Sequence, residues 1–368
     1  MIQHTATTLV TLIFLPYIAL ALGDGQSNDH DAVKSVLTKD SDLFKCINIH
    51  QQPTLSHPLL KNHKVQMKPN SYPYELHNRS LSLSTKSLAQ LPTISCPRGT
   101  VPILQDTKGD IKNSEGFHTL DGPRGELAMI KTVDEIFGSR VSINVYEPKV
   151  KEQTKDFSAS WVIMLNKENA IESIGAGSMV WPSFSGDNFA RFHITWRDNS
   201  HDALCYDHGC PGFVQVNSKI GLGSRIQPVS VYNGPQHFID VLLFKDPNTT
   251  NWWVLLGGTP IGYWPNSIFS HLKDSVTEVG WGGQVYGPTI QSNFPQMGSG
   301  HFAWEGFGKA AYVSNIKIVR NNNKYYTPDT DQTFAKSTRP NCYPVGNYGQ
   351  DEGGMHIYYG GPGGCDKF

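Results

Sequence analysis

From Leu127 onward the chain is a succession of short runs rich in β-branched and aromatic residues, each closed by glycine, proline, asparagine or aspartate. That rhythm constrains the fold more than any other feature, because such runs suit a pleated, half-buried surface and are too short for stable helices. Residues 128–132, 141–146, 160–165, 190–196, 212–216, 238–244 and 252–256 read as strands. The run Phe192–Trp196 alternates, as expected when one sheet face is buried and the other wet. About a dozen strands would curl or split as one open sheet, so the expected class is all-β: a two-sheet antiparallel β-sandwich. One helical turn is expected at residues 268–272.

The amino-terminal part has a different texture. Residues 9–22 are an apolar run followed by Gly23, Asp24, Gly25, Gln26 and Ser27, which reads as a secretory signal peptide over residues 1–23. Pro16 interrupts the run, which is also shorter than the ~20 residues a membrane span needs. No later segment is apolar enough to span a bilayer, so no membrane contact is expected once the signal is removed. Residues 24–124 are polar and dotted with proline, consistent with a small irregular accessory domain carrying short helices at 32–37 and 103–112. Residues 110–124 read as a linker and processing site, leaving 125–368 as the main domain.

Lys and Arg total 31 against 32 Asp and Glu, so no net field points to nucleic acid or to an acidic polymer. Export places the six cysteines where pairing is the default. Cys205 and Cys210 are close enough to bridge across a tight loop. Zinc at Asp207 and His208 is the weaker alternative there. A bridge between Cys342 and Cys365 would pin a glycine-rich tail, while the pairing of Cys46 and Cys96 stays open. Asn78 and Asn248 head glycosylation sequons.

No nucleophile elbow, zinc-protease helix, phosphate loop or dinucleotide fingerprint is present, and no metal or cofactor is expected. His193 and His301 read as structural. The stretch 280–285, Gly-Trp-Gly-Gly-Gln-Val, presents one polar side chain among glycines. In a strand, Trp281 and Gly283 share one side and Gly282 and Gln284 the other. A tight sheet corner with a surface glutamine is the plain reading.

Together with Ile174–Pro182, Gly186–Asn188, Cys205–Gln215, Ile261–Pro265, Met297–Phe302 and Glu305–Lys309, this stretch resembles the plant neprosin family in order and spacing. Phe44–Cys46, His57–Lys64 and Cys96–Pro102 are similar to its activation-peptide domain. The resemblance implies a secreted glutamic endopeptidase made as a zymogen, cutting after proline, with two glutamates across the cleft of a β-sandwich. One carboxylate would activate water while the other shares a proton. Carried over position by position, those glutamates fall on Gly175 and Gln284, so neither carboxylate is present, and the motif tryptophan is Ser178.

Glu172 faces the opposite side of its strand from Gly175. Glu278 shares the face of Gln284 but lies ~20 Å along an extended strand. Glu305 is the best substitute carboxylate, although a structural role suits it better, and Asp187 reads as a turn residue. Gln284 keeps a donor able to polarise a carbonyl, as in the Gln/Glu pair of fungal eqolisins, which these residues only partly resemble. The expected function is an impaired or inactive family member that retains a cleft for a proline-containing peptide. The alternatives are an active enzyme pairing Gln284 with Glu305, or a glycan-binding module using Trp252, Trp253, Trp264 and Trp304.

Overall fold

The short runs pair partly with their neighbours in the chain and partly with runs far away in it. A computed structural model describes residues 34–74, 87–105, 125–166, 172–198, 204–290, 295–351 and 354–365. The signal segment 1–23, the sequon at Asn78 and the linker 110–124 lie outside the described residues. In chain order the strands are β1 (Lys34–Leu37), β2 (Leu43–Asn48), β3 (Thr100–Leu104), β4 (Gly125–Ile136), β5 (Gly138–Asn144), β6 (Phe157–Asn166), β7 (Glu172–Val180), β8 (Arg191–Arg197), β9 (Cys205–Tyr206) and β10 (Val214–Gln215). They continue with β11 (Phe238–Lys245), β12 (Trp252–Leu256), β13 (Thr259–Trp264), β14 (Val276–Tyr286), β15 (Ala311–Val319), β16 (Tyr325–Tyr326), β17 (Thr333–Ser337), β18 (Val345–Asp351) and β19 (Gly354–Tyr359).

Two antiparallel sheets form the all-β sandwich. A seven-stranded sheet runs β17-β4-β14-β6-β7-β8-β9, and a nine-stranded sheet runs β10-β13-β12-β11-β5-β15-β19-β18 with β16 on β15. Between them lies a core that includes Val141, Ile143, Val162, Ile174, Trp252, Trp264 and Trp281. Trp281 also donates its indole N–H to Ser139 Oγ of β5 at 2.9 Å, tying one sheet to the other.

The amino-terminal segment is more ordered than its composition suggests. Residues 32–37 and 103–112 were expected to hold helices; instead β1 and β3 flank β2 in a three-stranded antiparallel sheet. Pro102 is compatible with β3 because β3 is an edge strand, where a missing N–H interrupts no ladder. Residues 106–112 lie outside the described residues. The small sheet belongs to the same compact unit as the sandwich. Its Ile49, Val101 and Ile103 pack against Val214, Phe244, Trp253 and Tyr263 on the outer face of the nine-stranded sheet.

A second layer also overturns the wet-face expectation for Phe192–Trp196 of the seven-stranded sheet, where every residue is buried. Its inner side meets the sandwich core, and an aromatic cluster covers the outer side of the seven-stranded sheet. The expected helical turn appears two residues early, as a 3-10 turn at Asn266–Ile268. Disulfides join Cys46 to Cys96, Cys205 to Cys210 and Cys342 to Cys365. Asn248 is exposed in the β11–β12 turn.

Candidate active site

Gln284 sits neither at a corner nor on the surface. It lies inside β14, paired with β4 on one side and β6 on the other, and is 2% exposed. The glycines before it solve a packing problem. Gly282 has φ +145°, and a Cβ there would stand 2.4 Å from the Ala128 carbonyl oxygen, so a side chain is excluded on two counts. Trp281 fills the inner core, which by alternation turns Gln284 to the outer face.

Strand register sets what Gln284 meets. Across the sheet, Leu127, Gln284, Ala159, Met179 and Arg191 form one row on the outer face. The small Ala159 stands between Gln284 and Met179, whose Cα positions are two strands, or ~10 Å, apart. Gly175 is in a different row, with Gly280, Ile163 and Thr195. It is displaced from Gln284 by two strands and four residues, or ~16 Å. The structure therefore does not bring Gly175 and Gln284 together. A Cβ at Gly175 would also fall 2.3 Å from Ile163 Cδ1.

The possible substitute carboxylates are engaged elsewhere. Glu172, on the inner side of β7, accepts the backbone N–H groups of Ser270, His271 and Leu272, each at 2.8 Å. Glu278 accepts from Lys131 Nζ at 2.8 Å, six residues from Gln284. Glu305 accepts the Phe302 backbone N–H at the start of its own 3-10 turn and accepts from Tyr232 Oη, each at 3.0 Å. Its 3-10 turn packs on β18 and β19 of the nine-stranded sheet, away from the Gln284 row. Asp187 pairs with Arg191 and accepts Phe189 N–H, which confirms its turn role and adds an ion pair.

Above the row the outer face is filled by rings. Phe157 stacks on Tyr286, Trp161 on Tyr206 and Trp181 on Phe184. Burial drives the Tyr206 phenol far above its ordinary range. Two polar pairings here escaped the sequence reading, which took His193 only as structural. His193 Nδ1 lies 2.6 Å from Asp207 Oδ2, with Nε2 enclosed and without a hydrogen-bond partner. Arg191, 1% exposed, is held by Asp187 and by Asp42 of the amino-terminal segment. Burial alone would lower the pKa of Arg191, but the hydrogen bonds it donates to the two carboxylates raise it above the usual value. A spacing of 149 residues between Arg191 and Asp42 leaves no local signal for the pair.

Asp207 is thus committed to His193 and Cys205 to Cys210, which removes the ligands of the zinc alternative. Among the described residues no group of three or more His, Cys, Asp or Glu stands close enough to hold a metal ion. Of the four tryptophans considered for glycan stacking, Trp252, Trp253 and Trp264 are fully buried, while Trp304 is 68% exposed.

Several solved structures are similar to this chain at low identity. Scytalido-glutamic peptidase with a peptide-based transition state analogue is 9% identical with a TM-score of 0.33, covering 64% of this chain and 98% of that one. SCP-B, a member of the eqolisin family of peptidases in complex with the tripeptide Ala-Ile-His, is 8% identical with a TM-score of 0.32 over the same shares. A Ruminococcus gnavus IT-sialidase CBM40 bound to sialyllactose is 13% identical with a TM-score of 0.21, covering 44% and 89%. These TM-scores are too low to carry an argument. The family models are decisive: Neprosin matches residues 154–362 and Neprosin activation peptide matches residues 35–135. With the first of these spanning more than half of its length, the chain belongs to the neprosin family and carries that family's activation segment.

Proposed function

We propose that this protein is an exported, zymogen-like member of the neprosin family that binds a proline-containing peptide on the outer face of the seven-stranded sheet without cutting it efficiently. The observation that carries this reading is the Gln284 row. Two side chains on strands two apart, separated by one alanine, are placed to share a water or a scissile carbonyl, and here they are Gln284 and Met179. Neither can take up a proton from water, and loss of a positioned general acid or base typically costs ~10²- to 10⁴-fold in rate. Gln284 retains an amide N–H able to polarise a carbonyl, which favours binding over turnover.

In this reading the rings that close the face belong to a latent state. The activation segment reaches the same face through Asp42 and Leu104, so its departure would uncover the end of the row at Arg191. The signal segment, the processing linker and glycosylation at Asn248 suit an exported protein.

The test is cleavage of proline-containing peptides by the full chain after exposure to acid. The unaltered chain is expected to show little turnover. Met179→Glu combined with Gln284→Glu is expected to raise it by at least ~10²-fold, the contribution of a restored acid–base pair. Gly175→Glu with Gln284→Glu is expected to leave it low, because those positions stand in different rows. Robust cleavage by the unaltered chain, abolished by Gln284→Ala, would overturn the proposal.

A further inference from the structure

Arg191 is the first residue of β8 and occupies the Gln284 row, three interstrand steps or ~14 Å away. An extended peptide covers that span in about four residues at ~3.3 Å each. The guanidinium has five N–H donors, and all five are used. Nε and Nη2 bond the two oxygens of Asp187. Nη1 also donates to the Gly223 carbonyl at 2.7 Å. The remaining fork donates to a single carboxylate, with Nη1 to Asp42 Oδ2 at 2.9 Å and Nη2 to Asp42 Oδ1 at 2.8 Å. Paired parallel bonds of this kind select the planar, two-oxygen shape of a carboxylate.

The division of labour is informative. Asp187, Gly223 and Arg191 all belong to the main domain, so the guanidinium keeps its position and three of its bonds without the activation segment. Asp42 belongs to the activation segment, in the turn between β1 and β2. Leu104, at the end of β3, approaches Gly223 so closely that a Cβ there would lie 2.7 Å from Leu104 Cδ2. A cleft of about 360 Å³ already opens beside the pair, lined by Asp40, Asp42, Leu104, Phe184, Asp187 and Arg191. Withdrawal of the segment would leave a pre-oriented guanidinium fork, still paired with Asp187 on its other edge, with two unmet donors at the end of the row, and unsatisfied donors in a largely enclosed site cost free energy.

We infer that Arg191 is a carboxylate-recognition site for a peptide lying along the Gln284 row, reading an acidic side chain or a free carboxyl terminus about four residues from Gln284, and that Asp42 occupies it in the intact chain as an internal stand-in. The peptide as later occupant rests on the function proposed above. The carboxylate chemistry of the site rests on the Arg191 geometry alone.

Thermal unfolding of the full chain near pH 7 in sodium acetate, against sodium chloride of equal ionic strength, tests this. Asp42→Ala is expected to lower Tm by several degrees, and acetate is expected to restore at least half of the loss in a saturable way. The unaltered chain and Asp42→Asn, which keep the space filled, should not respond beyond the chloride control. Adding Arg191→Lys to Asp42→Ala keeps a positive charge but removes the fork, and should raise the half-saturating acetate concentration roughly tenfold. If Asp42→Ala does not accumulate as folded protein, Asp42→Ser is read with formate in the same way. An acetate response equal in all these chains, or no response of Asp42→Ala to acetate and none of Asp42→Ser to formate, would refute the site. Peptide turnover by the unaltered chain would refute the proposed function without altering this readout, so the two failures are distinguishable.

Discussion

The activation segment touches the outer faces of both sheets, with opposite chemistry. On the nine-stranded sheet the contact is apolar, with Ile49, Val101 and Ile103 on Trp253, Tyr263 and Phe244. Neutral amides seal its rim, where Gln52 Nε2 donates to the Gln215 carbonyl at 3.1 Å and Gln52 Oε1 accepts Gln215 N–H at 2.9 Å. On the seven-stranded sheet the contact is ionic, with Asp42 on Arg191, and Asp40 meets Arg225, in the segment bridged to Arg191, at 3.3 Å. Apolar burial has no alternative partner in water and serves as an anchor. A carboxylate on an arginine fork can be exchanged for another carboxylate, so this end of the segment is the replaceable one.

The anchor is where the largest effect is expected. Trp253→Ala should destabilise the full chain by about 3–5 kcal/mol, the usual cost of removing a fully buried tryptophan. Denaturant unfolding measures it, and a loss below about 1 kcal/mol would mean that the apolar contact contributes little to holding the segment.

Acid sharpens the comparison next. His208, in the disulfide loop beside β9 at the edge of the seven-stranded sheet, has its pKa lowered to about 4 by burial, opposed in part by Asp207. The unfolded chain therefore takes up more protons than the folded one between that value and the ordinary ~6.5. The stability that neutral His208 contributes is complete above pH 6.5 and is lost as pH falls toward 4. His208→Phe should flatten the decline of Tm over that window. An unchanged slope would place the acid-sensitive contacts elsewhere. His63, on the nine-stranded side and 2.7 Å from Tyr263 Oη, has its pKa lowered in the same direction by burial.

The smallest effect belongs to Glu305, which lies on neither contact. Glu305→Gln weakens the bonds that the carboxylate accepts from Phe302 N–H and Tyr232 Oη, and should cost less than about 1 kcal/mol. Peptide turnover by the Met179→Glu, Gln284→Glu chain should not change when it is added. A large drop in turnover would show that Glu305 reaches the row after all.

Much of the fold was legible in the sequence because it depends on local chemistry. Short apolar runs between turn residues specify strands, a dozen strands require two sheets, and cysteines five residues apart can close a loop. The family motifs were legible as well, and with them the exceptional position of Gln284. The sequence misread β1 and β3 because proline and polar residues are tolerated on an edge strand. It misread Phe192–Trp196 because no local pattern announces that a second layer will cover the outer face.

What only the tertiary structure decided is partnership. The residue sharing a row with Gln284 is fixed by the register of β14 on β6 and of β6 on β7, and a slip by one residue would turn the opposite face of each strand outward. That register selects Met179 over Gly175. It also carries the row to Arg191, whose carboxylate partner comes from the other end of the chain. The sequence by itself determined that this is a neprosin-type sandwich and that its Gly-Trp-Gly-Gly-Gln-Val stretch carries an amide at position 284. Hydrogen-bond pairing between strands distant in sequence decided what that amide faces, because register is a property of the assembled sheet.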